Sequence, residues 1–306
     1  MRYRTLIADS DRWQRFRFRP GDIVISTPPK CGTTWTQMLC ALLVFDGPEL
    51  PRPLGELSPW LDMLTRPIED VVAMYDAQDH RRFIKTHTPL DGLPLDPGAT
   101  YVVVGRDPRD VAVSMQHHNE NLDMDRVREL RAETVDPADD RDVAPRVAPA
   151  DPEEWLEHFI EQDDLGGPAS LALVLNHLSK AWEHRRDPNV ALFHYADYRA
   201  DLPAELRRLA NALEIPLTAS RAAELASEAS IDRMRERAEH VVPSAELGIW
   251  RDTAAFLRAG SNGEGAGRIA GRHQARYEER VRSLVPPDLA AWAHEGRIAS
   301  GVDPDI

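Results

Sequence analysis

Short apolar runs alternate along the chain with longer segments in which apolar residues recur every three or four positions. The runs predict four β-strands at Asp22–Ser26, Arg82–Thr86, Thr100–Gly105 and Asn189–Tyr195. A helix-like segment follows each run, and strands that alternate with helices form parallel sheets covered on both faces. We therefore predict an α/β fold with a central, mostly parallel sheet flanked by helices. Ligands of such sheets bind beyond the carboxyl ends of the strands.

Two of the predicted helices begin directly after strands. The first begins near Thr34 and carries an apolar stripe made of Trp35, Met38, Leu39, Leu42 and Leu43. The second opens at "DPRDVAVSMQHH", where Asp107 suits the N-cap and Pro108 suits the first helical position. Both helix starts therefore face the edge of the sheet where ligands are expected.

Two segments interrupt this alternation within what we predict to be one domain over residues 1–306. Residues 132–155 are acidic and rich in proline and alanine, which is typical of a surface excursion, a mobile lid or a solvated linker. Residues 256–274 combine many glycines with several arginines. We predict a loop there, because glycine lets a backbone approach a phosphate closely.

The composition excludes several classes of protein. The chain has 306 residues, 42% of them hydrophobic, and a net charge of −14, which disfavours nucleic acid and anionic membranes as partners. We find neither a signal peptide nor a run near the roughly 18 apolar residues that a membrane helix needs. Cys31 and Cys40 lie in one loop–helix unit, where they are poorly placed to pair. We expect free thiols and a cytoplasmic location.

Lysine is rare in this chain and falls at notable places. Of 37 basic residues only Lys30, Lys85 and Lys180 are lysines, and the first two lie at predicted strand ends. A compact ammonium with rotatable donors serves some sites better than a planar guanidinium. Chance placement is the alternative explanation.

The segment "STPPKCGTTW" links the first strand to the first helix and predicts an anion-binding turn. Gly32 allows a sharp turn, and the backbone N–H groups from Cys31 to Thr34 would point at an oxyanion beside the helix N-terminus. Thr33 adds a hydroxyl and Lys30 a mobile charge. The lysine precedes the glycine, whereas an ATP-binding loop places Gly-Lys-Ser/Thr in that order.

The segment "IKTH" ends the second strand and offers a candidate base. His87 has a residue type that exchanges protons near neutral pH, although a lone histidine is more often structural. Lys85 precedes it by two positions, and strand alternation sends both side chains to the same side.

Two further segments offer basic residues for a phosphate. In "GRDPRDVAVS", Arg106 leaves the third strand and Ser114 lies about two turns into the next helix. Arg109 lies on another face, and a salt bridge from Arg106 to a nearby aspartate is the alternative. The segment "FLRAG", with Arg258 and Gly260, provides a weaker second basic group.

These segments together resemble the cytosolic-type sulfotransferases. "TPPKCGTTW", "IKTHTPL", "VVVGRDPRDVAVS" and "FLRAG" occur in the order of that family, from about Asp22 to Tyr277. The resemblance implies a P-loop-like sulfotransferase fold and transfer of a sulfuryl group from 3′-phosphoadenylyl sulfate (PAPS) to a hydroxyl or amine, with adenosine 3′,5′-bisphosphate (PAP) as product. It implies no metal. The acceptor would be a small or lipid-like molecule, and an oligomer is compatible with the sequence.

The resemblance also implies roles for individual residues. The 5′-phosphosulfate and adenine side of the donor would contact Lys30, Gly32, Thr33, Thr34 and Trp35. The 3′-phosphate would contact Arg106 and Ser114, helped by Arg258 and Gly260. Near the adenine, Tyr195 matches the tyrosine of the family's "FYED", and Ser230 and Ile231 lie in "ASIDRM", which is similar to the family's "TSFDKM". His87 would be the base, with Lys85 beside the sulfuryl oxygens and Lys30 beside the departing oxygen.

The chain departs from the family in its last third. The usual "RKG" is here Arg258-Ala259-Gly260, and "SNGEGAGRIAG" replaces the usual "GDW". We find no equivalent of the C-terminal dimer motif of the animal enzymes. Arg268 or Arg272 is a candidate replacement for the missing lysine.

Two other functions and the acceptor stay open on sequence alone. One is a P-loop kinase that acts on ATP, but the chain lacks the Gly-Lys-Ser/Thr order of such a kinase. The other is a catalytically silent nucleotide-binding protein, which would not need His87, Lys30 and Lys85. Phenols, alkyl alcohols, sterols, glycolipids and polyketide intermediates are all candidate acceptors. Four bulky apolar residues could line an acceptor pocket or belong to the core: Trp60, Met63, Trp155 and Phe159.

Overall fold

Four parallel strands form the centre of the fold in this computed structural model, which describes residues 1–135, 148–167, 169–257 and 263–306. The strands are β1 (Ile23–Ser26), β2 (Phe83–Thr86), β3 (Thr100–Gly105) and β4 (Val190–His194). They lie in the order β2-β1-β3-β4, and all three pairings are parallel. The predicted parallel sheet is therefore confirmed.

Helices make up most of the remaining described chain. Their bounds are α1 (Thr33–Val44), α2 (Leu54–Leu57), α3 (Ile68–Asp76), α4 (Pro108–Asn121), α5 (Met124–Ala132), α6 (Pro152–Glu161), α7 (Leu171–Glu183), α8 (Tyr195–Ala200), α9 (Leu202–Ala212), α10 (Ala219–Glu228), α11 (Ile231–Glu236), α12 (Ala238–Val241), α13 (Glu264–Ile269), α14 (Gln274–Leu284) and α15 (Pro287–Ser300). Across the described residues, we find no helix long and apolar enough to cross a membrane.

The sheet is buried on both faces, as predicted for an α/β fold. Alternate strand residues enter two different apolar clusters. One cluster includes Val24 and Ile84 and is completed by α6, α7, α14 and α15. The other includes Ile25 and Val102 and is completed by α1, α9 and α10, and the predicted stripe of α1 lies in it or packs against it. Burial of both faces leaves the strand ends as the place where polar residues can reach solvent.

The predicted element boundaries are accurate to one or two residues. β3 has the predicted bounds, while β4 ends at His194, and Tyr195 begins α8 instead of closing the strand. The change follows from the histidine, whose ring accepts a hydrogen bond from the N–H of Ala196 at 3.2 Å and so caps a helix. Asp107 is the predicted cap of α4 and accepts from the N–H of Arg109 at 2.9 Å.

The prediction of a loop over residues 256–274 was wrong in part, because α13 occupies its centre. Its first turn is held by Asp110, whose carboxylate accepts the N–H groups of Gly263 at 2.9 Å and Gly265 at 2.8 Å. A Cβ added to Gly265 would lie 2.1 Å from the carbonyl carbon of Arg109, so glycine permits this close packing of α13 on α4. In the acidic segment, the structure describes α5 up to Ala132 and the start of α6; residues 136–147 lie outside the described residues.

Candidate active site

A cavity of about 450 Å³ lies beyond the carboxyl ends of the four strands. A volume of about 300–1,000 Å³ is typical of small-molecule sites. Every predicted site residue within the described chain lines this cavity: Lys30, Gly32, Thr33, Thr34, Trp35, Lys85, His87, Arg106, Ser114, Tyr195, Ser230 and Ile231. The remaining two, Arg258 and Gly260, lie outside the described residues. Motifs far apart in sequence are thus brought together at one sheet edge.

The turn between β1 and α1 has the backbone that an anion cradle requires. Lys30 and Gly32 both have left-handed conformations, with φ of 66° and 95°. A Cβ on Gly32 would lie 3.0 Å from the Tyr195 ring, so the position combines a positive φ with a tight contact. The turn is tied by a 2.6 Å hydrogen bond between the hydroxyls of Thr27 and Thr33. It directs the N-terminus of α1, with its unpaired N–H groups, at the cavity.

Lys30 and Arg106 approach this turn from different elements. The Lys30 ammonium lies 4.7 Å above the ring of Phe256, a cation–π contact that the sequence did not indicate. The Arg106 guanidinium donates to the carbonyl oxygen of Lys30 at 3.0 Å and lies 4.4 Å from the centre of the Tyr195 ring. Arg106 thus holds the cradle while remaining at the cavity wall.

Three arginines in or near α4 and α13 do not line the cavity. Arg109 forms an ion pair with Asp107 at 2.7 Å and does not line the cavity. Arg272 forms an ion pair with Glu153 at the surface, and Arg268 is exposed. Neither Arg268 nor Arg272 lines the cavity, so the proposed replacement of the missing lysine by either residue is not supported.

Lys85 lies in an unusually dry position for an ammonium group. Its side chain is 6% exposed and its Nζ lies 5.0 Å from the centre of the Trp60 ring. Burial lowers the pKa of Lys85 from 10.5 to about 8, although the charges of Asp62 and Glu246 oppose the shift. Lys85 is therefore charged at neutral pH in a place where its field is weakly screened.

His87 has the tautomer that a general base requires. Its Nδ1 lies 2.8 Å from the carbonyl oxygen of Thr27, and since a carbonyl only accepts, Nδ1 carries the proton. The lone pair of the neutral ring is then on Nε2. Burial lowers the pKa of His87 from 6.5 to about 4; the hydrogen bond to Thr27 opposes this shift, and the charges of Lys85 and Lys30 add to it. The ring is neutral at pH 7.

A buried carboxylate holds the strand end that carries His87, a feature that sequence reasoning missed. The Oδ2 atom of Asp62 accepts from the hydroxyls of Thr86 at 2.5 Å and Thr88 at 2.6 Å, and from the indole N–H of Trp13 at 3.2 Å. Burial raises the pKa of Asp62, and these donors oppose the shift. The threonines flank His87 in sequence, so the network restrains its backbone from both sides.

Of the four bulky apolar residues that the sequence assigned to either a pocket or the core, two line the cavity and two lie in the core. Trp60 and Met63 line the cavity. Trp155 and Phe159 are fully buried in the core, and the Trp155 indole donates to the carbonyl of Ala112 at 2.9 Å. Helical periodicity buries one face of α6 against α4, α7 and α14, and that face holds both residues.

Other lining residues carried weak signals or none. Arg199 follows Tyr195 by four positions on α8, and this spacing could have indicated it. His118 and Trp250 also line the cavity and contact each other through rings 5.2 Å apart. Their proximity depends on tertiary packing, because 132 positions separate them (250 − 118).

Comparison with known proteins identifies the family. The sulfotransferase domain matches residues 20–276, which is most of the chain. The chain belongs to the sulfotransferase domain family. A glycolipid sulfotransferase of Mycobacterium tuberculosis is 49% identical over 99% of this chain and 96% of its own length. The luciferin sulfotransferase of Photinus pyralis is 24% identical, over 88% of this chain and 73% of its own length.

Solved structures support the fold of the sulfotransferase. A retinol dehydratase complexed with retinol and PAP has a TM-score of 0.69 at 21% identity, with 92% of this chain and 87% of that chain covered. A mouse sulfotransferase complexed with PAP has a TM-score of 0.65 at 20% identity, with coverages of 92% and 89%. The predicted sulfotransferase fold and enzyme class are confirmed. The enzyme transfers a sulfuryl group, and the kinase and silent-protein alternatives are not supported.

Proposed function

We propose that this sulfotransferase moves a sulfuryl group from PAPS to a hydroxyl of a lipid-like acceptor, with a glycolipid as the acceptor class. The observation that carries the proposal is that one cavity joins the anion cradle, His87 and an apolar wall. The name of the 49%-identical mycobacterial relatives supports the acceptor class, and the PAP in related structures supports the donor.

The residues at the cradle fit the donor. The left-handed turn at Gly32, the N-terminus of α1 and the ammonium of Lys30 suit a phosphosulfate. Arg106 and Ser114 line the same cavity and suit the 3′-phosphate. For the adenine, the lining aromatic rings of Trp35 and Tyr195 offer faces and edges. The adenine wall would be completed by Ser230 and Ile231 at the start of α11. Arg258 and Gly260 remain candidates for the 3′-phosphate by resemblance.

When bound, PAPS supplies the sulfuryl group. The chain's own residues prepare the acceptor oxygen and meet the developing charge. His87 removes the proton of the acceptor hydroxyl at Nε2, while its Nδ1–H stays on the Thr27 carbonyl and fixes the ring. Lys30 would compensate the charge that develops on the departing phosphate oxygen, and Lys85 would lie near the sulfuryl oxygens. Preorganised positive charge in a dry site is the main catalytic contribution.

The low pKa of His87 is consistent with this role. Lys85 and Lys30 contribute to lowering it, and an anionic donor in the cradle would offset their charge. Binding of the donor would therefore raise the basicity of Nε2 at the stage when a proton must be accepted. In the free enzyme the ring is neutral, so the lone pair of Nε2 is available to accept a proton.

The test is transfer of labelled sulfuryl from PAPS to long-chain alcohols and alkyl glycosides by the wild type and His87→Ala. We expect transfer by the wild type, and a loss of roughly 10²–10⁴-fold in kcat for the variant, with PAP affinity kept. An enzyme that turns over ATP with Mg²⁺ and leaves PAPS intact would refute the donor. A fully active His87→Ala variant would refute the assignment of the base.

A further inference from the structure

Helix α4 runs along the whole cavity and links its two ends. Asp110, Ser114 and His118 are four positions apart, so they lie on one face of the helix, and all three line the cavity, as does Leu122 just beyond the helix end. His118 therefore lies about 6 Å further along the helix than Ser114, the residue proposed for the donor's 3′-phosphate. This places an imidazole in the part of the cavity that remains for the acceptor.

The surroundings of His118 are mainly apolar. This end of the cavity is lined by Ile7, Trp60, Met63, Leu122, Ile249 and Trp250. The strand-like segment at Trp250 is held against the end of α4, because Asp123 N–H donates to the Ile249 carbonyl and Arg251 N–H to the Asn121 carbonyl, both at 2.8 Å. The wall facing His118 is thus fixed by the fold, and an apolar acceptor chain would find complementary surface there.

The protein itself does not use the nitrogens of His118. Its Nδ1 is buried without a hydrogen-bond partner among the described residues, and Nε2 makes no hydrogen bond to that part of the chain either. The neighbouring polar residues differ. His117 directs Nδ1 to Glu120 at 3.2 Å, and the Asn121 amide makes two hydrogen bonds with the backbone of Asp252, at 2.8 and 2.9 Å. An unused imidazole in an apolar wall is costly unless a ligand completes its hydrogen bonds.

The ring is also held neutral. Burial lowers the pKa of His118 well below its usual value, and the charges of Lys30 and Lys85 add to the effect. His118 lines the same cavity as His87 and these two lysines. A neutral imidazole can donate through one nitrogen and accept through the other, which suits an uncharged hydroxyl.

We infer that His118 is a specificity residue that hydrogen-bonds a second hydroxyl of the acceptor while the reacting hydroxyl lies at His87. The acceptor side is then built for a polyhydroxylated headgroup on an apolar chain and discriminates against a simple alcohol. This inference rests on the proposed function, because it assumes that the acceptor occupies the apolar end of the cavity.

The experiment compares binding of octyl β-glucoside and 1-octanol, which share one chain and differ in the headgroup. Calorimetric titrations use PAP-saturated enzyme and ligand below its micelle concentration. The variants are His118→Phe, which keeps a ring against Trp250, and His118→Gln, which keeps a donor and an acceptor. The matched control is His184→Phe, because His184 does not line the cavity and pairs with Asp187 at the surface.

We expect the wild type to prefer the glucoside. His118→Phe should weaken glucoside binding by roughly 5- to 150-fold, the effect of leaving a buried hydroxyl without its partner. Octanol binding should change by less than about threefold, the effect of a surface-like substitution. His118→Gln should retain part of the preference, and the control His184→Phe should retain it fully. Equal weakening of both ligands by His118→Phe, no weakening of either, or a wild type without preference would overturn the inference.

Assays of sulfuryl transfer to both ligands distinguish a failure of the role of His118 from a failure of the proposed function. If the wild type binds the glucoside through His118 and yet transfers sulfuryl from PAPS to neither ligand, the proposed donor and acceptor chemistry fails while the binding role of His118 stands. If transfer to both ligands is efficient and insensitive to His118→Phe, the proposed function stands and the role of His118 is refuted.

Discussion

Replacing Lys85 with methionine separates the contribution of this residue to catalysis from its cost to folding. Lys85 is 6% exposed, and burial lowers its pKa from 10.5 to about 8. Each unit corresponds to about 1.4 kcal/mol, so holding the ammonium charged in this site costs about 3 kcal/mol at neutral pH. Methionine has a similar length and no charge. The net pKa shift of Lys85 already includes the attraction to Asp62, and we expect Lys85→Met to be more stable by about 1–3 kcal/mol at pH 7.

The stability advantage of Lys85→Met over the wild type should decrease as the pH rises above about 8. Above a pH of about 8 the folded wild type releases the Lys85 proton, while the unfolded chain keeps it until about pH 10.5. In this window the unfolded state binds more protons, so the stability of the wild type rises with pH. Lys85→Met lacks this term. Its advantage should therefore fall to about half its neutral value by pH 9.5.

The assay is urea-induced unfolding followed by tryptophan fluorescence at pH 7.0 and 9.5, together with sulfuryl transfer at pH 7. The control is Lys180→Met, because Lys180 is a surface residue paired with Glu183 at 2.8 Å. That change should shift stability by less than about 1 kcal/mol at either pH. Lys85→Met should also lose on the order of 10² or more in kcat, since preorganised charge is removed. A variant that is less stable at pH 7, or an advantage independent of pH, would show that contacts with Trp60 and Asp62 outweigh burial.

Three further predictions concern the donor side. Lys30→Arg should bind PAP within a few-fold of wild type and lose on the order of 10²–10³ in single-turnover rate, because a planar fork cannot follow one oxygen as freely; an unchanged rate would show that charge alone suffices. Arg106→Ala should lose most of the preference for PAP over adenosine 5′-phosphate in calorimetry, and undiminished discrimination would place the 3′-phosphate elsewhere. Gly265→Ala should lower both the melting temperature and PAP affinity, because its Cβ would lie 2.1 Å from the Arg109 carbonyl carbon, whereas Gly267→Ala meets nothing within 4 Å and should leave both unchanged.

Much of the cavity lining at the strand ends was predictable because its signals are local. Each parallel strand ends at the same edge of the sheet, so residues that directly follow an apolar run must gather there. Lys30, His87, Arg106 and Tyr195 each follow one of the four strands and all line the cavity. The sharp turn at Gly32 was equally predictable, since glycine readily adopts a positive φ. The same residue also leaves room for the ring of Tyr195.

The tertiary structure alone decided which side chains complete the site. Phe256 lies under Lys30, and Trp250 packs on His118, although each pair is far apart in sequence. No periodicity distinguishes Trp60, which lines the cavity, from Trp155, which is buried in the core. An apolar residue predicts burial but not the surface that buries it, because that surface is assembled from distant segments by packing.

Charge pairing at the start of α4 and helix formation in the last third were decided in the same way. Arg109 takes Asp107 as its partner, which leaves Arg106 for the cradle, and this choice depends on the direction of each side chain where β3 passes into α4. The glycine-rich segment forms α13 because Asp110 accepts two of its N–H groups and because Gly265 permits close packing. Glycine lowers helix propensity, and the hydrogen bonds and contacts of one particular fold compensate for it. The sequence thus determined where the chemistry is placed along the strands, and packing between distant segments determined what surrounds it.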